Sequence, residues 1–401
     1  MSDENDGPLT GMRVIDIGVL VQGPQAAQTL YEMGADVIKV ELPGIGDHGR
    51  WIPASETDPR PPFFIGSNRG KRSITVNLRD PAGLQVFLDL VTQSDVVISN
   101  FTAGAMDRAG IGYEDLAAVN PRIVYAAGTA YGLEGDAARR KGADLGAQAA
   151  GGLMRATESG ETRPGAVGIT IADHIASQNM VNGVLAALLA RERTGRGQKI
   201  ETSLVGGQIY AQASEYTAVF LTGEDLDPPT HGGHPVIEGL YGVVPTADGA
   251  MALVGIAPQV RAEFFAIIER PALADEDRFM TTQIRGETRD DLFAAIGEAM
   301  RSRTTAEWGA AFTNPDIRWS PVQRRLAAAA DPDLHASGYF YTEDHPEWGE
   351  ITMVGHPIRF SDTPARPGGL APELGQHTEE ILLEIGRSWD DITALRDQGA
   401  I

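Results

Sequence analysis

The chain contains no cysteine, which excludes disulfides, thiolate-ligated zinc, iron–sulfur clusters and thiol nucleophiles together. Its chemistry must therefore use oxygen or nitrogen groups. Basic residues are also scarce: 33 Lys plus Arg stand against 55 Asp plus Glu, for a formal net charge of −22. With no basic tail, the chain lacks the footprint that neutralises phosphate after phosphate, so nucleic acid is not an expected partner. Long apolar runs are missing too. The longest spans about eight residues around Val184 to Ala190, against ~20 needed to cross a bilayer, so no membrane association is expected. Met1 to Pro8 is acidic and polar rather than basic then apolar, so no secretory or transit peptide is visible and a cytoplasmic location is expected. There is no internal repeat and no low-complexity tract. What remains is a globular composition, 42% hydrophobic and 22% charged over 401 residues, for which two domains are the default.

The clearest local pattern is Met12 to Glu41: an apolar strand Val14–Ile17, a glycine-containing turn, an amphipathic stretch from Pro24 to Met33, Gly34-Ala35, and a second strand Val37–Val40. This is a βαβ unit. Strands at Ser73–Val76, Asp95–Ile98 and Ile123–Tyr125, with a helix over Pro81–Thr92, extend the alternation. The expected fold is α/β, with a Rossmann-like parallel sheet whose ligands sit beyond the carboxyl ends of the strands. A long helix is expected from Asp173 to Arg193, closing at Thr194-Gly195-Arg196-Gly197. The expected organisation is a large domain over 1–205, completed by 345–401, with linkers at 206–225 and 331–344 around a smaller α+β domain at 226–330. A hairpin is expected at Asp248-Gly249, a strand at Ile351–Val354 and a final helix from Thr378 to Ile385.

A dinucleotide site is not specified, because Gly18 and Gly23 do not form G-x-G-x-x-G. Arg69, Lys71 and Arg72 cluster within four positions, with Lys39, Arg50 and Arg108 in other loops of the same half, and the chain has only four lysines. These groups read either as a pocket for a phosphorylated ligand or as solvated surface charge. His231 and His234 lack an acid at metal-ligand spacing and read as loop histidines; no metal is expected. Asp173 opens the long helix, where aspartate is a good N-cap. The alternative is a nucleophilic carboxylate that the helix dipole keeps ionised.

The segments Pro8–Asp16, Gly34–Glu41, Asn68–Ser73, Asn100-Phe101 with Gly104-Ala105 and Arg108, Gly142–Leu145 with Gln148, Arg193–Gln198 and Gly375–Thr378 resemble the class III CoA-transferases, the CaiB/BaiF and formyl-CoA transferase relatives. The resemblance covers nearly the whole chain. It implies a two-domain subunit in an intertwined homodimer, acyl-CoA and carboxylic acid substrates, and coenzyme A as the carried group. It also implies that Asp173 is the nucleophile, forming an aspartyl-CoA thioester. The implied CoA site places Lys39, Arg72 and Arg108 near phosphates and Asn100, Phe101 and Ala105 near the adenosine; Val19, Lys71 and Asp144 complete the set.

The departures are informative. Leu42, Ala143 and Ala172 stand where formyl-CoA transferase carries arginine, tyrosine and glycine, and the glycine-rich loop of its small domain has no counterpart. The related α-methylacyl-CoA racemases carry a histidine where Ala143 stands, so racemisation is the second enzymatic reading. A non-catalytic acyl-CoA-binding protein, with Asp173 only a cap, is the third.

Overall fold

The computed structural model describes residues 7–156, 164–226, 229–366 and 368–401. The Met12 to Glu41 pattern folds as β1 (Arg13–Asp16), a first helix (Gln22–Glu32) and β2 (Asp36–Glu41), with β1 and β2 parallel. Next come β3 (Arg72–Thr75), β4 (Val96–Ser99), β5 (Val124–Thr129) and β6 (Lys199–Ser203). Together they make a six-stranded parallel sheet of order β3-β2-β1-β4-β5-β6. Here β6 went unread in the sequence, because Lys-Ile-Glu-Thr-Ser offers one apolar side chain and lies at the sheet edge.

Side chains of alternate parity cover the two faces. Ile15, Ile38, Ile74 and Val97 pack on one side against the helix Pro81–Thr92 and the C-terminal helices Thr378–Glu384 and Trp389–Asp397. Val14, Val37, Val96 and Ile98 pack on the other against Ala26, Ala27 and Leu30 of the first helix and Met180, Val184 and Leu188 of the long helix Ile171–Thr194. Each buried Val, Ile, Leu or Met side chain among them contributes about 1.5–3 kcal/mol. Two-sided burial is why these strands read as apolar runs rather than alternating ones. The strand order reverses between β1 and β4, so the connections leaving them diverge and open a crevice beyond Asp16 and Ser99.

The chain divides into two compact units: residues 1–151, 168–211 and 331–401, and residues 152–167 and 212–330. Where a linker was expected over 206–225, the helices Leu204–Ala211 and Ala213–Thr222 stand, and the division falls between them. The smaller unit carries an antiparallel sheet of β7 (Leu240–Pro245), β8 (Ala250–Ile256) and β9 (Trp319–Pro321), with β7 and β8 joined through Asp248-Gly249. Helices Pro258–Ile267 and Gly286–Met300 cover it with Phe264, Phe265, Leu292 and Ile296. After the hairpin of β10 (Phe340–His345) and β11 (Gly349–Val354), the chain completes the large unit: the Asn77 amide donates to Ala400 O at 2.8 Å. No helix among the described residues is long and apolar enough to cross a membrane.

Candidate active site

Asp173 occupies the third position of the long helix, not its N-cap, which is Thr170. Thr170 makes no side-chain capping bond, so the orphan amides of the first turn need another acceptor. Asp144 supplies it. Its Oδ1 accepts from the Ala172 amide at 2.7 Å and the Asp173 amide at 3.4 Å. Asp144 is the first residue of the short helix Asp144–Ala150 and is held by Gln148, whose Nε2 donates to Oδ2 at 2.5 Å and to Ile169 O at 3.1 Å. The capping role read onto Asp173 thus belongs to Asp144. A cap delivered from 28 residues upstream leaves no local spacing in the sequence.

Freed from capping, the Asp173 carboxylate feels the backbone N–H of Gln22, the first residue of the first helix, which favours its anion. Two helix N-termini therefore meet at one half-buried carboxylate at the switch point of the sheet. Their dipoles favour the anion. Burial, first, and the neighbouring Asp144 charge, second, outweigh them together with the Gln22 amide, and the Asp173 pKa is pushed up to about 7. The expectation that the dipole keeps Asp173 ionised is corrected accordingly: near neutrality the group is poised between its two forms. A carboxylate of that basicity is a stronger nucleophile than an ordinary aspartate. The next residue, His174, was not singled out in the sequence. Its Nδ1 lies 2.6 Å from Gln25 Oε1 and its Nε2 3.2 Å from Thr170 Oγ1. Burial lowers its pKa despite the Asp144 charge, so it is a neutral brace between the two helices.

The connection after β1 is gripped residue by residue. Gly18 donates to Asp16 Oδ1 at 2.8 Å, and its carbonyl accepts from Lys39 Nζ at 2.5 Å. Asn100, just past β4, accepts the Val19 N–H and donates to the Val19 carbonyl, both at 2.8 Å. The Leu20 amide donates to Asp47 Oδ1 at 2.9 Å. A Cβ on Gly18 would fall 3.0 Å from Asn100 Oδ1, Asp16 Oδ1 and Pro24 Cδ, which is why glycine stands there. The Asn100 amide, expected near adenosine, is thereby engaged at both ends with Val19. Phe101 is exposed, and Ala105 follows Gly104, whose φ is 71°. Both residues follow the carboxyl end of β4 in the chain.

The basic cluster separates into two kinds. Lys39 and Lys71 are buried: Lys39 pairs with Asp47 at 2.9 Å and Asp16 at 3.4 Å, and Lys71 pairs with Asp16 at 2.7 Å while donating to Pro24 O and Asn68 Oδ1. Burial works to lower the Lys39 pKa, but the charges of Asp16, Asp47 and Glu41 raise it on balance. Lys71 is held down to about 8 by burial, with Asp16 opposing and the Lys39 charge assisting. Arg50 forms a bidentate pair with Glu41 at 2.8 Å, and Arg69 pairs with Glu32 at 2.8 Å. Arg72 lies at the amino end of β3 and is bound by Asp36, Glu380 and Glu384 at 2.6–2.9 Å. The phosphate role expected of Lys39 and Arg72 therefore does not fit their surroundings, and Lys71 is a structural cation.

Exposed cations differ. Among the described residues, no acid lies within ion-pair reach of Arg108 or of Arg139, Arg140 and Lys141, the triplet leading into Asp144. Arg140 is placed over the Tyr131 ring at 4.9 Å. The triplet was missed, although three cations in a row are a plain signal in so acidic a chain. Elsewhere, His234 pairs with Glu215 at 2.7 Å and His231 stacks on Phe293. Among the described residues no three His, Asp or Glu side chains converge as metal ligands would.

A parallel sheet with a switch point, and near the helix N-termini a half-buried carboxylate of raised pKa, define an α/β protein with a group suited to covalent chemistry. Residues 9–378 match CoA-transferase family III, and the chain belongs to that family and is a CoA-transferase. It is similar to the succinate–glutarate CoA-transferase of Agrobacterium fabrum, 34% identical over 393 residues that span 94% of this chain and 96% of that protein. The succinyl-CoA:glutarate CoA-transferase of Homo sapiens is 30% identical over 391 residues, spanning 97% and 89%. The crystal structure of a CaiB/BaiF family protein from Brucella suis shares the fold with a TM-score of 0.85 at 30% identity, covering 95% of this chain and 100% of that one.

Proposed function

We propose that the protein moves coenzyme A from an acyl-CoA donor to a free carboxylic acid, with Asp173 as the covalent nucleophile. The Asp173 carboxylate attacks the thioester carbonyl, the C–S bond breaks, and a mixed anhydride and CoA thiolate form. The thiolate then attacks the aspartyl carbonyl, which releases the donor acid as its carboxylate and leaves an aspartyl-CoA thioester. The acceptor carboxylate attacks that thioester, and the returning thiolate takes the acceptor acyl group and frees Asp173. Four displacements at activated carbonyls replace one difficult exchange between anions, with no net proton change and no step that requires a metal. The helix N-termini around Asp173 stabilise the oxyanion that forms at each attack.

The observation that carries this reading is the Asp173 carboxylate, relieved of capping by Asp144 and influenced by the Gln22 backbone N–H at the start of the first helix. Arg108, Arg139, Arg140 and Lys141 supply the cations for the CoA phosphates, while Val19, Phe101 and Ala105 border the adenosine position. The acids are short dicarboxylic acids, on the strength of the named activities of the relatives. The working assembly is a cytoplasmic homodimer. Ala143 puts a methyl group where an acid–base partner for racemisation would be needed. The test is exchange of an isotopically labelled free acid into the CoA-ester pool across a panel of mono- and dicarboxylic acids. Asp173→Asn is expected to reduce exchange to background, and a near wild-type rate in that variant would refute the mechanism.

A further inference from the structure

Asp16, Lys39, Glu41, Asp47 and Lys71 are all buried behind the β1 connection, and none of them reacts in the scheme above. Burying ion pairs is a poor route to stability by itself, since apolar residues of similar volume usually do as well or better. What these groups share is the loop they hold. Within it Leu20 has φ 65°, and only one other non-glycine residue among those described, Glu269, is left-handed. A side chain with a Cβ disfavours that region, and such outliers persist where the surroundings impose them.

Asn100 holds Val19 in the middle of this stretch, and the contacts at Gly18 O and Leu20 N come from one ion pair. Asp47 Oδ1 accepts the Leu20 N–H at 2.9 Å, its Oδ2 lies 2.9 Å from Lys39 Nζ, and Lys39 donates to Gly18 O at 2.5 Å. The pair thus grips both ends of Gly18–Leu20. Asp47 is fixed in turn, its own amide donating to Glu41 Oε1 at 2.9 Å and its Oδ1 accepting from Gly49 at 2.8 Å. Two residues beyond Leu20 stands Gln22, whose backbone N–H favours the Asp173 anion.

We propose that Asp47 is a positioning residue: with Lys39 it holds Leu20 in the left-handed conformation, and this turn aims the Gln22 N–H so that the Asp173 carboxylate is oriented for attack on the thioester. The proposal rests on the nucleophilic reading of Asp173. Asp47 touches neither substrate nor the reacting atoms, so its effect passes through the loop and appears in kcat rather than in acyl-CoA affinity.

The experiment compares Asp47→Ala and Asp47→Asn in the native background and in Leu20→Gly. It reads kcat for CoA exchange per folded protein, KM for acyl-CoA, and hydrogen exchange of the peptide spanning residues 17–24. Asp47→Ala is expected to lower kcat by about five- to thirtyfold, the size of the left-handed penalty for a non-glycine residue, with KM changed less than about twofold. Asp47→Asn keeps the Oδ1 acceptor and loses less; it serves as the test should Asp47→Ala fold poorly. In the Leu20→Gly background, where glycine adopts φ 65° without penalty, removal of Asp47 costs under about twofold. Equal losses in both backgrounds, or no loss in either, would overturn the proposal. Hydrogen exchange separates this claim from the reaction scheme. Should the intact protein transfer no CoA, the nucleophilic reading fails, and faster exchange of the 17–24 peptide in Asp47→Ala still supports the clamp. Unchanged exchange in that variant overturns it.

Discussion

Replacing Asp144 by Asn removes one negative charge beside Asp173 while an amide oxygen remains to accept the Ala172 N–H. The Asn nitrogen then faces Gln148, which must turn its amide to present oxygen. Asp173 stands at about 7 because burial, chiefly, and then the Asp144 charge disfavour its anion. For two carboxylates on the order of 5 Å apart, Coulomb's law with an effective dielectric between about 80 and 20 gives about 0.8 to 3 kcal/mol, or roughly 0.6 to 2.4 pH units. The acid limb of the pH–rate profile for CoA exchange should therefore fall near pH 7 in the native protein and move down by that interval in Asp144→Asn. Burial keeps it from returning to the ordinary carboxylate range. The assay is initial exchange rate from pH 5 to 9 at saturating acyl-CoA, with circular dichroism at each pH to confirm the fold. The plateau rate at high pH should drop modestly, since a less basic carboxylate is a weaker nucleophile. An acid limb that stays in place, or moves up, would refute the claim that Asp144 sets the charge state of Asp173.

Asp173→Asn should stabilise the protein while abolishing exchange. Between pH 3.8 and about 7 the folded chain retains a proton that the unfolded chain has released, so stability falls as pH rises through that window. Above it the full penalty, at most about 4 kcal/mol, is present. Thermal melts should show Asp173→Asn above the native protein at pH 8 and level with it at pH 4; no difference at pH 8 would show that Asp173 carries no such penalty. Arg108→Ala should weaken CoA binding by roughly tenfold to a hundredfold, as loss of a charge-assisted phosphate contact does. Arg72→Ala, whose guanidinium is tied to Asp36, Glu380 and Glu384, should leave the affinity for CoA within about twofold. Calorimetry decides between them, and equal losses would restore Arg72 to the phosphate site.

The layered fold was legible because its determinants are local. Apolar strands such as Val14–Ile17 and Val37–Val40, separated by a helix of the right length, specify βαβ units wherever they occur. Asp173 at the start of a long helix was legible as a candidate for the same reason. Its state was not. Whether that aspartate caps, ionises or attacks depends on Asp144 and Gln22, 29 and more than a hundred positions away in the chain. The cations failed likewise. A sequence displays Lys39, Lys71 and Arg72 as charges, but it does not display Asp47, Asp16 or Glu384 as their partners, the last 312 residues distant. The resemblance to class III CoA-transferases supplied the activity that local chemistry left open between a cap and a nucleophile. It also carried over phosphate roles for Lys39 and Arg72 that the ion pairs of this chain do not support.

The central claim is a covalent bond at Asp173, and mass spectrometry of the trapped enzyme tests it directly. The intact protein is incubated with an acyl-CoA donor that supports exchange, quenched with hydroxylamine, digested and mapped, with Asp173→Asn treated in parallel. A mixed anhydride or aspartyl-CoA thioester would be captured as the hydroxamate of Asp173, on that residue alone and only when acyl-CoA is present. The account predicts that modification in the native protein and none in the variant. Full turnover with Asp173 unmodified, or a hydroxamate at another carboxylate, would contradict it.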